Sequence, residues 1–217
     1  MSRHAYSGKA RDAIYRVIRE RRDMRHFLPD PVDQNVIGRM LEAAHQAPSV
    51  GYMQPWRFVR IQAPALREAI AVLVDEERHA TAAALSTRGA AFMQLKVEGI
   101  RECPELWVVA LCGKREQYVF GRRTINEMDL ASASCAIQNL WLAGRAEGIG
   151  VGWVSLFDPE KLKALIDAPS DACPIAILCM GHVEAFYDAP MLAQEGWDSR
   201  RDLETLISTD RWPQDSF

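Results

Sequence analysis

The sequence predicts an α+β fold in which helices cover both faces of one central sheet. Two observations lead to this prediction. Short apolar runs of strand length recur along the chain, and segments of helical periodicity separate them. The 217 residues contain no internal repeat, low-complexity segment or linker-like stretch, so we expect a single domain spanning residues 1–217.

Apolar residues at helical spacing indicate the first two helices. In residues 10–22 one stripe consists of Ala13, Ile14, Val17 and Ile18. The second helix follows Asp33, a residue type that caps helix N-termini, and Pro48 ends it. The buried face expected for this second helix consists of Val36, Ile37, Met40, Leu41 and Ala44.

Four segments have the composition of strands. RFVRIQ at 57–62 alternates in polarity, as a half-buried strand does. LWVVALC at 106–112 is apolar throughout, which is typical of a strand covered on both faces. GVGWVSL at 150–156 predicts a short strand, and PIAILCMGHV at 174–183 predicts a second central one.

Three later segments are predicted to be helical. Residues 64–85 are alanine-rich, and residues 126–147 form the longest helical pattern, with Gly148 as its C-cap. A short helix at 158–167 is capped by Asp158 with a proline in its first position. The inward face expected for the long helix consists of Leu130, Ala133, Ile137, Leu140 and Trp141.

Composition and charge exclude several classes of function. The formal net charge is -3, so the chain is not a polycation, and we expect neither a nucleic acid nor a membrane surface as its partner. No apolar run is long enough to span a bilayer, and the N-terminus has no signal-peptide core. These features predict a cytoplasmic protein.

The metal-ligating residue types show no pattern of a metal site. The five cysteines form no CxxC pair and are odd in number, which argues against a zinc site and against a disulfide framework. The five histidines form no HExxH motif. We therefore expect no metal.

Three arginines and one carboxylate lie within RRDMR, residues 21–25. Guanidinium groups bind phosphate through paired, charge-assisted hydrogen bonds. The same cations at a helix end could instead interact with the helix dipole and remain in solvent. GIGVG at 148–152 does not support a dinucleotide site, because its glycines follow a helical pattern and precede a strand.

Taken together, RRDMRHF, APSVGYMQPWRF at 47–58 and the later GIGVGWVSLFDPEKLKALI resemble the signature of the nitroreductase-like family. The resemblance covers most of the chain, from about residue 15 to the tail. It implies a nitroreductase-like fold with a central mixed sheet sandwiched by helices, in an interlocked homodimer that holds FMN at its interface. The C-terminal tail from about residue 190 would then pack on the partner subunit.

The same resemblance implies a set of FMN-binding residues. Arg21, Arg22 and Arg25, in a motif completed by Asp23 and Met24, would hold the phosphate and ribityl end. Ser49, Gly51 and Met53 would reach the flavin across the interface. Val151, Gly152 and Ser155 would line the isoalloxazine ring. Lys96 and Arg201 are further candidates that no sharp motif fixes.

Asp23 departs from the family pattern, in which a serine occupies this position. Arg-Arg-Asp together with PSVGYMQPW and GWVS resembles a branch whose members use O2 to fragment reduced FMN (FMNH2) as a substrate. In such an enzyme Asp23 would be the general acid/base for the ribityl chain, and Ser155 a hydrogen-bond partner near flavin N5. A separate NAD(P)H-flavin reductase would supply FMNH2. Alternatively, Asp23 only forms a salt bridge that orders the loop, and Ser155 is satisfied by backbone.

Three other functions remain open from the sequence. The chain could be an NAD(P)H-dependent nitroreductase or dehalogenase of the same fold, a non-catalytic flavin-binding protein, or a domain that binds no flavin. A flavin-consuming enzyme is expected to close over its substrate. The small and apolar residues of 81–96 suit such a lid, although they equally suit a second core helix.

Overall fold

The computed structural model describes residues 3–212, and its centre is a four-stranded sheet. The strands are β1 (Trp56–Arg60), β2 (Glu105–Leu111), β3 (Gly150–Val154) and β4 (Cys173–Gly181). Their order is β1-β2-β4-β3, and all three neighbouring pairs run antiparallel. All four strands lie where the sequence predicted them.

The predicted mixed sheet is antiparallel in its four strands. Within residues 3–212 its parallel component is one isolated bridge, between Asp23 and Val151. An apolar run shows that a strand is buried but not which way it runs, and that is why strand direction could not be read from the pattern.

Seven α-helices surround the sheet in the described part of the chain. They are α1 (Gly8–Glu20), α2 (Gln34–His45), α3 (Pro64–Ala84), α4 (Gly89–Gln94), α5 (Met128–Ala146), α6 (Pro159–Leu165) and α7 (Met191–Gln194). Two predicted caps are confirmed, since the Asp33 carboxylate accepts the Asn35 N–H and the Asp158 carboxylate accepts the N–H groups of Glu160 and Lys161. Gly148 follows α5 with a φ of +77°, as a C-terminal glycine should.

The core lies on both faces of the sheet. On one face α2 and α5 pack against it through a cluster that includes Met40, Ile137 and Leu140. On the other face α3 and α6 pack through a cluster that includes Ile70 and Leu162. β2 belongs to both clusters, because alternate side chains of a strand point to opposite faces. This accounts for its continuous apolar sequence and confirms the predicted helix–sheet–helix sandwich.

Two predicted buried surfaces are exposed in the single chain. α1 has no buried residue, and the side chains of Ile14 and Ile18 on its apolar stripe are 49% and 50% exposed. Leu130, expected on the inward face of α5, is 41% exposed. Periodicity identifies an apolar face but not the surface that covers it, so these two predictions of burial were wrong for the isolated chain.

The described residues were also compared with the requirements of a disulfide, a metal site and a membrane-spanning helix. All five cysteines are free, and no group of three or more His, Cys, Asp or Glu side chains in residues 3–212 is arranged to hold a metal ion. Within the same residues, no helix is long and apolar enough to cross a membrane.

Candidate functional site

The Arg-Arg-Asp segment runs alongside the outer edge of β3. α1 ends at Glu20, and the chain continues in an extended conformation. The Met24 N–H then donates to the Val151 carbonyl at 3.0 Å, beside the parallel bridge from Asp23. Gly152 permits this approach, because a Cβ on it would lie 2.2 Å from the Met24 carbonyl oxygen. The motif is thus attached to the glycine-rich strand by backbone contacts.

The Asp23 carboxylate is held at both oxygens. Oδ1 accepts the Trp153 N–H at 2.9 Å, and Oδ2 accepts Arg25 Nη2 at 2.5 Å. Arg25 also donates to the Trp153 carbonyl at 2.8 Å, and it is only 7% exposed. The Asp23 side chain, in contrast, is 42% exposed, so its carboxylate is positioned and still reachable.

The environment of Asp23 favours its protonated form. Protein atoms around the carboxylate displace part of its water, and this partial burial raises the pKa of Asp23 above its ordinary value. The charge of Arg25, the Trp153 N–H and the charge of Arg21 oppose the increase. The carboxylate is therefore a better proton acceptor than an ordinary aspartate.

Three cavities meet at Asp23. The first, which we call the basic cleft, has a volume of about 610 Å³ and is lined by Arg19, Arg21, Arg22 and Arg200 as well as by Asp23 and Asp188. The second, the apolar pocket, has a volume of about 310 Å³ and is lined by Trp153, Ser155, Leu156 and Phe92 among others. The third is an open hollow against α5. If a ligand had its anionic end in the basic cleft and a flat apolar end in the apolar pocket, the part that joins the two ends would lie beside Asp23.

The three arginines of the motif have different surroundings. The guanidinium of Arg21 stacks over the Trp141 ring at 4.4 Å and lines the basic cleft. The two terminal nitrogens of Arg22 donate to the carbonyls of Arg19, Arg21 and Asp188, so most of its donors are used within the chain. Arg25 lines the apolar pocket and not the cleft.

Two guanidinium nitrogens at this site are buried and lack a partner within residues 3–212. They are Arg22 Nε and Arg25 Nη1. Buried donors of this kind are costly to leave unpaired. Both belong to the segment that the sequence singled out.

Ser155 follows the last residue of β3 and lies at the mouth of the apolar pocket. It is exposed and lines both that pocket and the open hollow. Among the described residues no hydrogen bond engages its hydroxyl. The hydroxyl is therefore free to interact with a ligand. Val151 and Gly152, by comparison, are buried and form the strand behind this wall.

The segment Ser49–Met53 is not part of this site in the single chain. The Val50 N–H donates to Ser132 Oγ at 3.0 Å, and Ser49 Oγ accepts the Gln54 N–H. Gly51 adopts a φ of +53°, and Met53 lines a separate cavity of about 690 Å³ beside Phe58 and Tyr118. A contact between this segment and a flavin would need a second subunit, as the resemblance implied.

The two weaker candidates lie away from the basic cleft. The Lys96 ammonium pairs with Glu102 at 2.6 Å and with Glu98 at 3.9 Å. Arg201 is exposed and is not among the cleft residues, whereas its neighbour Arg200 is. Sequence reasoning missed Arg200, because adjacent arginines in an irregular tail give no signal of which one turns inward.

A second residue that sequence reasoning missed is Tyr187. Its hydroxyl accepts the Arg25 N–H at 3.2 Å and lies 2.7 Å from His26 Nδ1. These contacts tie the loop after β4 to the motif. No sequence pattern around Tyr187 predicted this arrangement.

Comparisons with known proteins show the family to which the chain belongs. Residues 18–182 match the family model described as the Nitroreductase family. The chain belongs to the nitroreductase family. Among nitroreductase-family relatives, it is 40% identical to the 5,6-dimethylbenzimidazole synthase of Rhodospirillum rubrum over 197 residues, covering 88% of this chain and 92% of that protein.

A second relative and a solved structure extend the comparison. The 5,6-dimethylbenzimidazole synthase of Rhodobacter capsulatus is 39% identical over 196 residues, covering 89% of this chain and 95% of that one. The structure of oxidized iodotyrosine deiodinase bound to FMN and 3-iodo-L-tyrosine superimposes with a TM-score of 0.69 at 18% identity, covering 92% of this chain and 99% of that one. The latter likeness shows the shared nitroreductase fold.

Proposed function

We propose that this nitroreductase-family chain is a 5,6-dimethylbenzimidazole synthase. It would use O2 to fragment FMNH2 into 5,6-dimethylbenzimidazole, the lower ligand of cobalamin, and erythrose 4-phosphate, while the remaining pyrimidine part of the flavin leaves as an oxidised fragment that takes up the oxygen. One observation carries the proposal, namely the 40% identity over 92% of a relative of that name. The position of Asp23 between an anion-binding cleft and an apolar pocket is what such a reaction needs.

The residues present fit FMN. Four arginines line the basic cleft, against the two carboxylates of Asp23 and Asp188, and this excess of cations suits a phosphate. The apolar pocket with its tryptophan wall suits an aromatic ring. Arg21 and Arg200 would bind the phosphate. Arg25 would lie beside the flavin ring, and Arg22 would mainly hold the segment after α1 in place.

Bound FMNH2 would supply, with O2, the redox chemistry, and its ribityl C1′ would become C2 of the product. Asp23 would accept the proton from C1′ or from a ribityl hydroxyl, because it lies where the cleft and the pocket join. Trp153 N–H and Arg25 fix the direction of the carboxylate, and burial keeps it basic. Ser155 would donate a hydrogen bond near flavin N5, and the apolar pocket would exclude water.

The proposal includes a homodimer and a second enzyme. Ser49, Gly51 and Met53 would complete the site from the partner subunit. The exposed stripe of α1 would be covered by that subunit. The tail from about residue 190 was expected to pack on the partner, but residues up to 200 contact their own chain. The apolar side chains of 203–212, of which Leu203 is 67% exposed, would still pack on the partner. The tail residues 213–217 lie outside the described residues. A separate NAD(P)H-flavin reductase would supply FMNH2, in the cytoplasm. Lys96 and Arg201 remain weaker candidates for the cofactor.

The arginines of the cleft provide a test of phosphate binding. Arg21→Ala or Arg200→Ala should weaken FMN binding by about 10- to 150-fold, since a hydrogen bond to a charged group contributes about 1.5–3 kcal/mol. Riboflavin, which lacks the phosphate, should bind both variants nearly as it binds the wild type. Lys161→Ala is the control, because Lys161 is exposed, pairs with Glu76 and lines neither the basic cleft nor the apolar pocket. Equal losses for both flavins would contradict the assignment.

The raised pKa of Asp23 predicts the pH dependence of product formation. A general base works only when ionised, so the rate should fall as pH drops through this pKa. Because burial raises the pKa of Asp23, the fall should occur at a higher pH than for an ordinary aspartate. Single-turnover rates across an acidic pH series would show it. A rate that stays constant down to the ordinary aspartate range would rule this role out.

The fate of the flavin separates the proposal from its rivals. FMNH2 on the protein should lose its flavin absorbance permanently after air is admitted. Full return of the oxidised FMN spectrum would instead indicate a flavin-binding protein. Rapid NADPH oxidation with a nitroaromatic would indicate a nitroreductase, and failure to bind FMN or FMNH2 would leave a domain without flavin.

A further inference from the structure

Residues 188–200, which we call the tail strap, form a wall shared by the basic cleft and the apolar pocket. Met191 and Leu192 line both cavities. At the start of the strap, the Asp188 carbonyl accepts Arg22 Nη2 at 2.7 Å. At its end, Arg200 lines the basic cleft. One short segment therefore contacts both places where the parts of a ligand would lie.

The middle of the strap is attached to residues 86–94, which we call the cover segment. The Trp197 carbonyl accepts Arg88 Nη2 at 2.7 Å, and the Arg88 guanidinium lies 3.7 Å from the centroid of the Trp197 ring. The Phe92 ring contacts the same indole at a centroid distance of 6.1 Å. Tryptophan is the most favourable aromatic ring for a cation, and arginine is the cation found most often in such pairs. Trp197 thus joins the strap to the cover segment.

The cover segment is also fixed at its opposite end. Arg78 Nη2, on α3, donates to the carbonyls of Met93 and Leu95 at 2.6 and 2.9 Å. The segment places Phe92 over the apolar pocket, and Leu95 lies just beyond it on the same wall. The cover segment is therefore held near its start by the contact of Arg88 with Trp197 and at its end by Arg78.

The charges of the basic cleft bear on the position of the strap. Arg200 approaches a cluster that already contains Arg19, Arg21 and Arg22. Burial is the main reason that the pKa of Arg21 lies below its ordinary value; the negative charge of Asp23 opposes the decrease, and the positive charges of Arg22 and Arg200 add to it. Like charges repel, and Asp23 and Asp188 offset only part of the charge of these four arginines, so an anion among the guanidinium groups would stabilise Arg200 in this position.

We propose that the tail strap couples the two cavities, so that an anion in the basic cleft closes the cover segment over the apolar pocket. The anion holds Arg200, Arg200 holds the strap, and Trp197 holds Arg88 and Phe92 of the cover segment. This rests on the proposed function only in taking the natural anion to be a flavin phosphate. The consequence is that a phosphorylated ligand is sealed in, whereas its unphosphorylated counterpart is not.

Hydrogen–deuterium exchange tests the coupling with inorganic phosphate as the probe. In the wild-type chain, phosphate should slow exchange in peptides covering 191–200 and also in peptides covering 86–94. In Arg88→Ala and in Trp197→Leu, phosphate should still protect 191–200 but no longer 86–94. Lys161→Ala, which removes an exposed cation that lines neither cavity, should behave as the wild type.

Two outcomes would overturn the coupling, and they differ in whether the basic cleft still binds an anion. Protection of 191–200 without any effect on 86–94 in the wild type would refute the coupling and leave the cleft as an anion site. No protection of either segment would refute the coupling together with the phosphate role of the cleft.

Reciprocity gives a second measurement. If the anion favours closure, closure must favour the anion by the same factor. The preference for FMN over riboflavin, expressed as the ratio of their Kd values, should therefore fall by about fivefold in Arg88→Ala, although Arg88 does not line the cleft. An unchanged ratio would overturn the proposal.

Discussion

Replacement of Asp23 by asparagine is expected to leave FMN bound and to lower the rate of 5,6-dimethylbenzimidazole formation by about 10²–10⁴-fold. Asparagine has nearly the shape of aspartate, so its carbonyl can still accept the Trp153 N–H. It cannot accept a proton at neutral pH. Product formed in a single turnover of FMNH2, measured beside the Kd for FMN, would separate chemistry from binding.

Asp23→Ser supplies the residue that the family usually carries at this position. It should bind flavin and form no product, and product formation at the wild-type rate would end the assignment of Asp23 as the base. Asp30→Asn is a suitable control, because Asp30 is an exposed carboxylate in the turn that follows the motif. If Asp23→Asn instead lost flavin binding in proportion to activity, Asp23 would be a residue that only orders the loop through Arg25.

The second large effect is expected for Gly152→Val. A Cβ at this position would lie 2.2 Å from the Met24 carbonyl oxygen and 3.1 Å from Arg25 Nη1, and neither backbone nor a buried guanidinium can move away freely. We expect a loss of about 3 kcal/mol in the free energy of unfolding, at the upper end for overpacking. Tm should fall by about 6–12 °C for a chain of this size. FMN binding should be lost as well, because the segment that carries Asp23 and Arg25 would leave β3.

Gly38→Ala is the matched control for this effect. Gly38 is exposed within α2, and no atom lies within 4 Å of an added Cβ. Alanine should stabilise that helix by about 0.5–1 kcal/mol. A Gly152→Val variant that melts with the wild type and binds FMN would show that the close approach of Met24 to β3 is not needed.

The elements of the fold were predictable where local chemistry and burial agree. β2 was found because all seven of its residues are buried, and α2 and α6 were found because Asp33 and Asp158 cap them. The exposure of Ile14, Ile18 and Leu130 in the single chain could not be predicted. An apolar stripe has the same sequence whether its own chain covers it or a second molecule does.

The candidate site was only partly predictable for a related reason. Asp23 and Ser155 were singled out by sequence, and they line two of the same cavities. The different surroundings of Arg21, Arg22 and Arg25 could not be predicted, since they depend on carbonyls and rings from distant parts of the chain, such as Asp188 and Trp141. Arg200 was missed because only the path of the tail brings it to the cleft.

The most direct test of the central proposal is the fate of FMNH2 on this protein. FMNH2 made by a separate flavin reductase would be mixed with the protein, air admitted, and the products examined by mass spectrometry. The proposal predicts 5,6-dimethylbenzimidazole together with an equal loss of flavin. Intact FMN without any benzimidazole would contradict it.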